Sequence, residues 1–136
     1  MYSLGKHLLL ALATGLLFSL STCSHLQAPV TPTSSEGKTK VVEMAASSFA
    51  FDPNNIEASQ GDLLVILVTN RSSISHNLTI TDPQGRMIQS VELPGNQTAR
   101  VELSLALAGT YDFYCNKPLH STLGMRGQIR VRGDST

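Results

Sequence analysis

The sequence predicts an all-β sandwich, and three observations carry that prediction. From Thr39 onward, short runs rich in Val, Leu, Ile and aromatic residues recur at close intervals. Turn signals separate them, at Gly61-Asp62, Asp82-Pro83-Gln84-Gly85 and Leu93-Pro94-Gly95-Asn96. No stretch of this region carries the apolar period of an amphipathic helix. Several strands over about 95 residues are best accommodated as two packed sheets.

Taken in order, Lys40-Val41-Val42-Glu43-Met44-Ala45 opens the domain as a strand. Leu63 to Val68 is apolar on both faces and reads as a central strand. Asp82-Pro83-Gln84-Gly85 has Pro second and Gly fourth, the preference of a type I turn. Val101, Leu103, Leu105 and Leu107 alternate with Glu102, Ser104 and Ala106, which predicts a half-buried strand. Gly109 precedes a strand containing Tyr111, and Gly127-Gln128-Ile129-Arg130-Val131-Arg132 closes the domain. The chain has no Trp and only 5% aromatic residues, so the core must be mainly aliphatic.

The N-terminal part is not read as fold. Lys6 and His7 precede an apolar run from Leu8 to Leu20, shorter than the ~20 residues needed to span a bilayer and suited to a signal peptide. The run leads into Leu20-Ser21-Thr22-Cys23, which resembles a bacterial lipobox, with Thr22 where a smaller residue is usual. Residues 24–38 are rich in Pro, Ser and Thr and read as a flexible tether. The expected organisation is a signal peptide over 1–23 ending in that lipobox-like site, a linker over 24–38, the folded domain over 39–132 and a C-terminal tail over 133–136. Export to the periplasmic side of a membrane, with a lipid anchor at Cys23, follows from this reading.

Charge narrows the partners. Ten basic residues balance ten acidic ones, and the clustered basic face that nucleic acid requires is missing. The two cysteines, Cys23 and Cys115, are not expected to pair, because a disulfide would tie a strand to a segment that is removed or lipidated.

Chemistry concentrates near the C-terminus. Cys115, His120 and Met125 fall within eleven residues, and His76 lies upstream in Ser75-His76-Asn77-Leu78-Thr79-Ile80. Taken singly, a His, a buried Cys or a Met is usually a packing residue. Together, two imidazoles, one thiolate and one thioether are the donor set of trigonal copper sites that transfer electrons. Alternation puts Cys115 on the face of Tyr111 and Phe113, and His76 on the face of Leu78 and Ile80, so both donors point toward a core.

The domain resembles the cupredoxins, the type 1 blue copper proteins that include plastocyanin, azurin and auracyanin. The carrying residues are Phe49-Ala50-Phe51-Asp52-Pro53, Gly61-Asp62, Asn70, His76-Asn77, Gly109 to Cys115, His120, Gly124-Met125 and Gly127. The resemblance covers residues 39–132. It implies a Greek-key sandwich with one copper ion, Cu(I) or Cu(II), at one end, bound by His76, Cys115, His120 and, weakly, Met125. It also implies that Asn77 bridges to backbone beside the cysteine, near Asn116; on its own, Asn77 reads as an outward polar residue. Many relatives have Gly immediately before the second His, where this chain has Leu119, so loop backbone or surface is expected to differ.

The expected function is a monomeric one-electron carrier between membrane or periplasmic redox proteins, not an enzyme. Of the four His, His7 and His25 lie before the domain, so the additional centres of multicopper oxidases and copper nitrite reductases cannot be built from this chain. Catalytic zinc would want water in the direction that Met125 takes. The alternative is a copper storage, delivery or sensing module; Met44 and Met87 are scattered rather than clustered, which favours the carrier. Pro118, Leu119 and Leu123 around His120 are expected to form an apolar docking face, with Lys117 and Arg126 as a basic rim. Asn-x-Ser/Thr sequons at Asn70, Asn77 and Asn96 are expected to be unmodified.

Overall fold

A computed structural model describes residues 37–133. The expected signal peptide, most of the tether and the last three residues lie outside them. The described residues form nine strands: β1 Thr39–Ser47, β2 Ala50–Asp52, β3 Asn55–Ser59, β4 Leu63–Asn70, β5 His76–Thr81, β6 Met87–Leu93, β7 Thr98–Ser104, β8 Gly109–Tyr114 and β9 Arg126–Arg132. No helix occurs among them. One sheet runs β2-β1-β4-β7 and the other β3-β9-β8-β5-β6. Both are mixed: β1 pairs in parallel with β4, and β3 in parallel with β9.

The sequence explains where each sheet buries its face. β4 is interior to its sheet, between β1 and β7, as its two apolar faces predict. The alternation of β7 buries Val101 and Leu103. It runs past the strand, however: β7 ends at Ser104, Leu105 is still buried, and Leu107 is exposed. The chain turns there to cross sheets, and the Tyr111 hydroxyl secures the turn by bonding the backbone N–H and C=O of Leu107.

Turn chemistry is equally local. Asp82 to Gly85 closes the β5–β6 hairpin as expected, with the Gly85 amide donating to the Asp82 carbonyl at 2.8 Å. The next turn is displaced by one residue: the Gln97 amide donates to Pro94, and Asn96, not Gly95, takes the left-handed position at φ 58°. Asn tolerates that region well among residues with a side chain.

The core between the sheets is mainly aliphatic, as the composition predicts, with Phe51 and Phe113 packed edge to face at 5.6 Å. Phe113 also dictates Gly127. A Cβ there would lie 2.4 Å from the Phe113 ring and 2.2 Å from the Asn54 carbonyl, so only glycine lets β9 approach. β5 is covered on both faces, which buries Asn77 and Thr79 as well as His76, Leu78 and Ile80.

Candidate metal centre

Strand order brings the donors together. β5 and β8 are antiparallel neighbours with Thr79 opposite Tyr114. The start of β5 and the end of β8 therefore lie at one end of the sheet, which places His76 beside Cys115. The loop from Cys115 to Met125 then returns to β9, next to β8. It is tied at its base, with the Cys115 amide donating to the Met125 carbonyl at 3.0 Å and the Met125 amide to the His120 carbonyl at 2.9 Å.

The donor atoms of His76, Cys115 and His120 lie within 4.8 Å of one another. His76 Nδ1 is 3.1 Å from His120 Nδ1, and Cys115 Sγ is 3.4 Å from His120 Nδ1. Both imidazoles thus turn the same ring nitrogen inward. His76, Cys115 and Met125 are fully buried, and His120 is half-buried. Burial, with like charge on His120 and Lys117, holds the His76 imidazole below its ordinary pKa. The neutral ring is the form a metal ion needs. Two imidazoles and one soft thiolate, converging in a largely buried pocket, fit copper.

The surrounding bonds hold these donors in place. Asn77 is buried and faces Asn116: its side-chain carbonyl accepts the Asn116 amide at 2.8 Å, and its amide group donates to the Asn116 side chain. It is therefore not the outward polar residue that alternation alone suggests. His76 Nε2 meets the Ser72 hydroxyl at 2.9 Å, a partner for which the sequence offered no signal. Phe49 packs its ring edge-on to His120 with centroids 5.2 Å apart. Phe49 and Leu119 both sit in the left-handed region, at φ 63° and 67°. The residue before His120 thus has a left-handed backbone that favours glycine, and its side chain is 70% exposed.

Leu123 is exposed near Leu119, whose carbonyl accepts the Leu123 amide at 2.9 Å, so an apolar surface does lie beside His120. The expected basic rim is weaker than its residues suggest, because the Lys117 ammonium is 2.9 Å from the Glu92 carboxylate. That bond, ahead of the smaller opposing effect of burial, holds the Glu92 carboxyl below its usual value. Asn70 and Asn77 are buried with their amides engaged inside the protein, so neither sequon is open to a glycan in the folded state.

Comparison with known proteins points the same way. The family model for copper binding proteins of the plastocyanin/azurin family matches residues 38–132. Plastocyanin of Vicia faba is 31% identical over 90 residues, covering 60% of this chain and 87% of that protein. The methylamine utilization protein MauL of Methylophilus methylotrophus is 36% identical over 93 residues, 68% of this chain and 51% of that protein. Among solved structures, a dithionite-reduced auracyanin of Roseiflexus castenholzii superposes with a TM-score of 0.61 at 19% identity, over 71% of this chain and 99% of that one. Auracyanin A of Chloroflexus aurantiacus, a blue copper protein, gives 0.60 at 23% identity, over 69% and 99%.

Proposed function

Since the chain belongs to the plastocyanin/azurin family of copper-binding proteins and its cofactor is copper, we propose that it is a mononuclear type 1 copper protein that carries single electrons between redox partners, without catalysing a reaction of its own. His76, Cys115 and His120 are assigned as the ligands, with Met125 as a weak fourth. The observation that carries this reading is the convergence of two Nδ1 atoms and one sulfur within 4.8 Å in a buried pocket. Bound copper would supply the chemistry by alternating between Cu(II) and Cu(I), accepting one electron and releasing it.

The protein residues keep that exchange cheap. Ligands on strand ends and on a loop tied at its base hardly move, since close-packed interiors resist displacement. Asn77 locks the Cys115–Asn116 segment to β5. Burial excludes water from the sulfur, and His120, the most exposed of the three, is the natural route to the surface. Leu119, Leu123 and Phe49 form the proposed docking face around it. Full burial of Cys115 and His76 supports a carrier over a delivery module, because copper handed to another protein needs an accessible thiolate.

The signal peptide over 1–23, the tether over 24–38 and a lipid anchor at Cys23 belong to the same proposal: a soluble domain over 39–132 on the periplasmic side of a membrane, free to swing between partners.

The experiment is direct. The oxidised domain is expected to bind one copper and show an intense thiolate-to-Cu(II) band, which Cys115→Ser abolishes. Persistence of the band in that variant would refute the assignment. Ready passage of Cu(I) to a competing apo-protein, with slow electron exchange, would favour delivery.

A further inference from the structure

A metal ligand that binds through one ring nitrogen must dispose of the proton on the other. His76 turns Nδ1 toward His120 and Cys115, so once that nitrogen binds copper its neutral ring would carry the proton on Nε2. The side chain is fully buried, and that proton needs an acceptor inside the protein. The Ser72 hydroxyl lies 2.9 Å away. Resting on the assignment of His76 as a ligand, we propose that Ser72 is a positioning residue: its oxygen accepts the Nε2–H of His76 and fixes the tautomer and ring orientation that present Nδ1 to copper.

The hydroxyl has the right free valence. It has one proton, and two acceptors are within reach, the Asn70 side-chain carbonyl at 2.8 Å and the Ile74 carbonyl at 3.0 Å. Both are oxygens that can only accept, so the hydroxyl proton goes to one of them and a lone pair faces the imidazole.

Ser72 is also held in place without the metal. Asn70, fully buried, spends its whole amide on this loop: it donates to the carbonyls of Ile74 and Leu93, both at 2.8 Å, and accepts the Ser72 amide at 2.9 Å. From the other side the Asn96 amide donates to the Ser72 carbonyl at 3.0 Å. Gly95 packs so closely that a Cβ there would meet the Ser73 carbonyl at 2.4 Å. The residues 70–76 thus form a cradle that sets Ser72 before His76 is loaded, and partners of this kind orient metal-bound imidazoles.

The test is NMR on the 15N-labelled domain loaded with Cu(I), which is diamagnetic, combined with copper release to a chelator. In the wild type the His76 Nε2–H is expected as a slowly exchanging, downfield signal. Ser72→Ala is expected to keep one copper and the thiolate band of its Cu(II) form. It should move that signal upfield, speed its exchange, and accelerate copper release by about 10–100-fold. Ser72→Thr, which keeps the hydroxyl, should restore both. A rapidly exchanging Nε2–H in the wild type overturns the proposal without any variant. So does a Ser72→Ala protein that is less stable yet unchanged in signal and release, which would make Ser72 a loop brace only. Coordination of wild-type His76 through Nε2, or no coordination by it at all, would instead overturn the ligand assignment and this proposal with it.

Discussion

Two fully buried residues of the proposed ligand set, His76 and Met125, differ in what their loss would do. His76 would supply a strong imidazole donor from a strand buried on both faces. Met125 supplies a thioether, a weak donor that favours Cu(II) modestly. Met125→Leu conserves volume, so the variant is expected to keep one copper and its colour while its reduction potential rises, as read by voltammetry. His76→Ala is expected to lose most of its copper in the same preparation. Equal copper loss in both variants would make Met125 a primary ligand. The chemical identity of all four residues was legible in the sequence because donor type is a property of the side chain. Ser72 was not legible, since a serine four residues before a histidine becomes a partner only when the loop between them is folded back by Asn70.

The loop from Cys115 to Met125 is the element that most separates backbone from surface. Leu119 holds φ at 67°, a region that costs an L residue about 1–2 kcal/mol. Leu119→Gly removes that strain and adds chain entropy to the unfolded state, so the two effects nearly cancel. Chemical denaturation is expected to show a change between zero and a gain of about 1 kcal/mol. The same variant strips an exposed apolar side chain from beside His120, and electron self-exchange, measured by NMR in mixed Cu(I)/Cu(II) samples, should slow. Leu119→Asp should slow it further, with the copper spectrum of both variants unchanged. Self-exchange at the wild-type rate in both would move the contact surface elsewhere. The sequence drew attention to this position; only the fold shows its left-handed backbone and its exposed side chain.

For the molecule as a whole, acid stability depends on where carboxylates are anchored. Asp82 is buried at the β5–β6 turn. Burial alone would raise its carboxyl pKa, but hydrogen bonds from the Arg86 amide and guanidinium and from the Gln84 amide, with the Arg86 charge, outweigh it and hold the value below the ordinary 3.8. A depressed folded-state pKa means the unfolded chain binds the proton more readily, so this stabilisation is complete above 3.8 and is lost as pH falls through the lower folded value. Asp82→Asn is therefore expected to melt at a lower temperature than the wild type at neutral pH, and the gap should close as pH drops below 3.8. A gap that is constant with pH would assign the effect to shape or hydrogen bonding rather than to ionisation.

The class of fold and the kind of chemistry were legible in the chain before any contact was known. Strand alternation, turn residues and donor types are local properties, so Cys115 on the face of Phe113, the Asp82 turn and the His₂Cys-Met set could be read directly. Local reading failed where the chain stops being local: the alternation from Val101 continues to Leu107, but β7 ends at Ser104 because the chain must cross to the other sheet. Strand order belongs to the tertiary structure too, since parallel pairing of β1 with β4 and of β3 with β9 joins segments that carry no mark of each other. It is the adjacency of β5 and β8 that brings His76, with its Ser72 partner, to Cys115, and that buries Asn77 where alternation alone would expose it. A residue's chemistry travels with its side chain, whereas the distance between two residues far apart in sequence exists only once the sheets have closed.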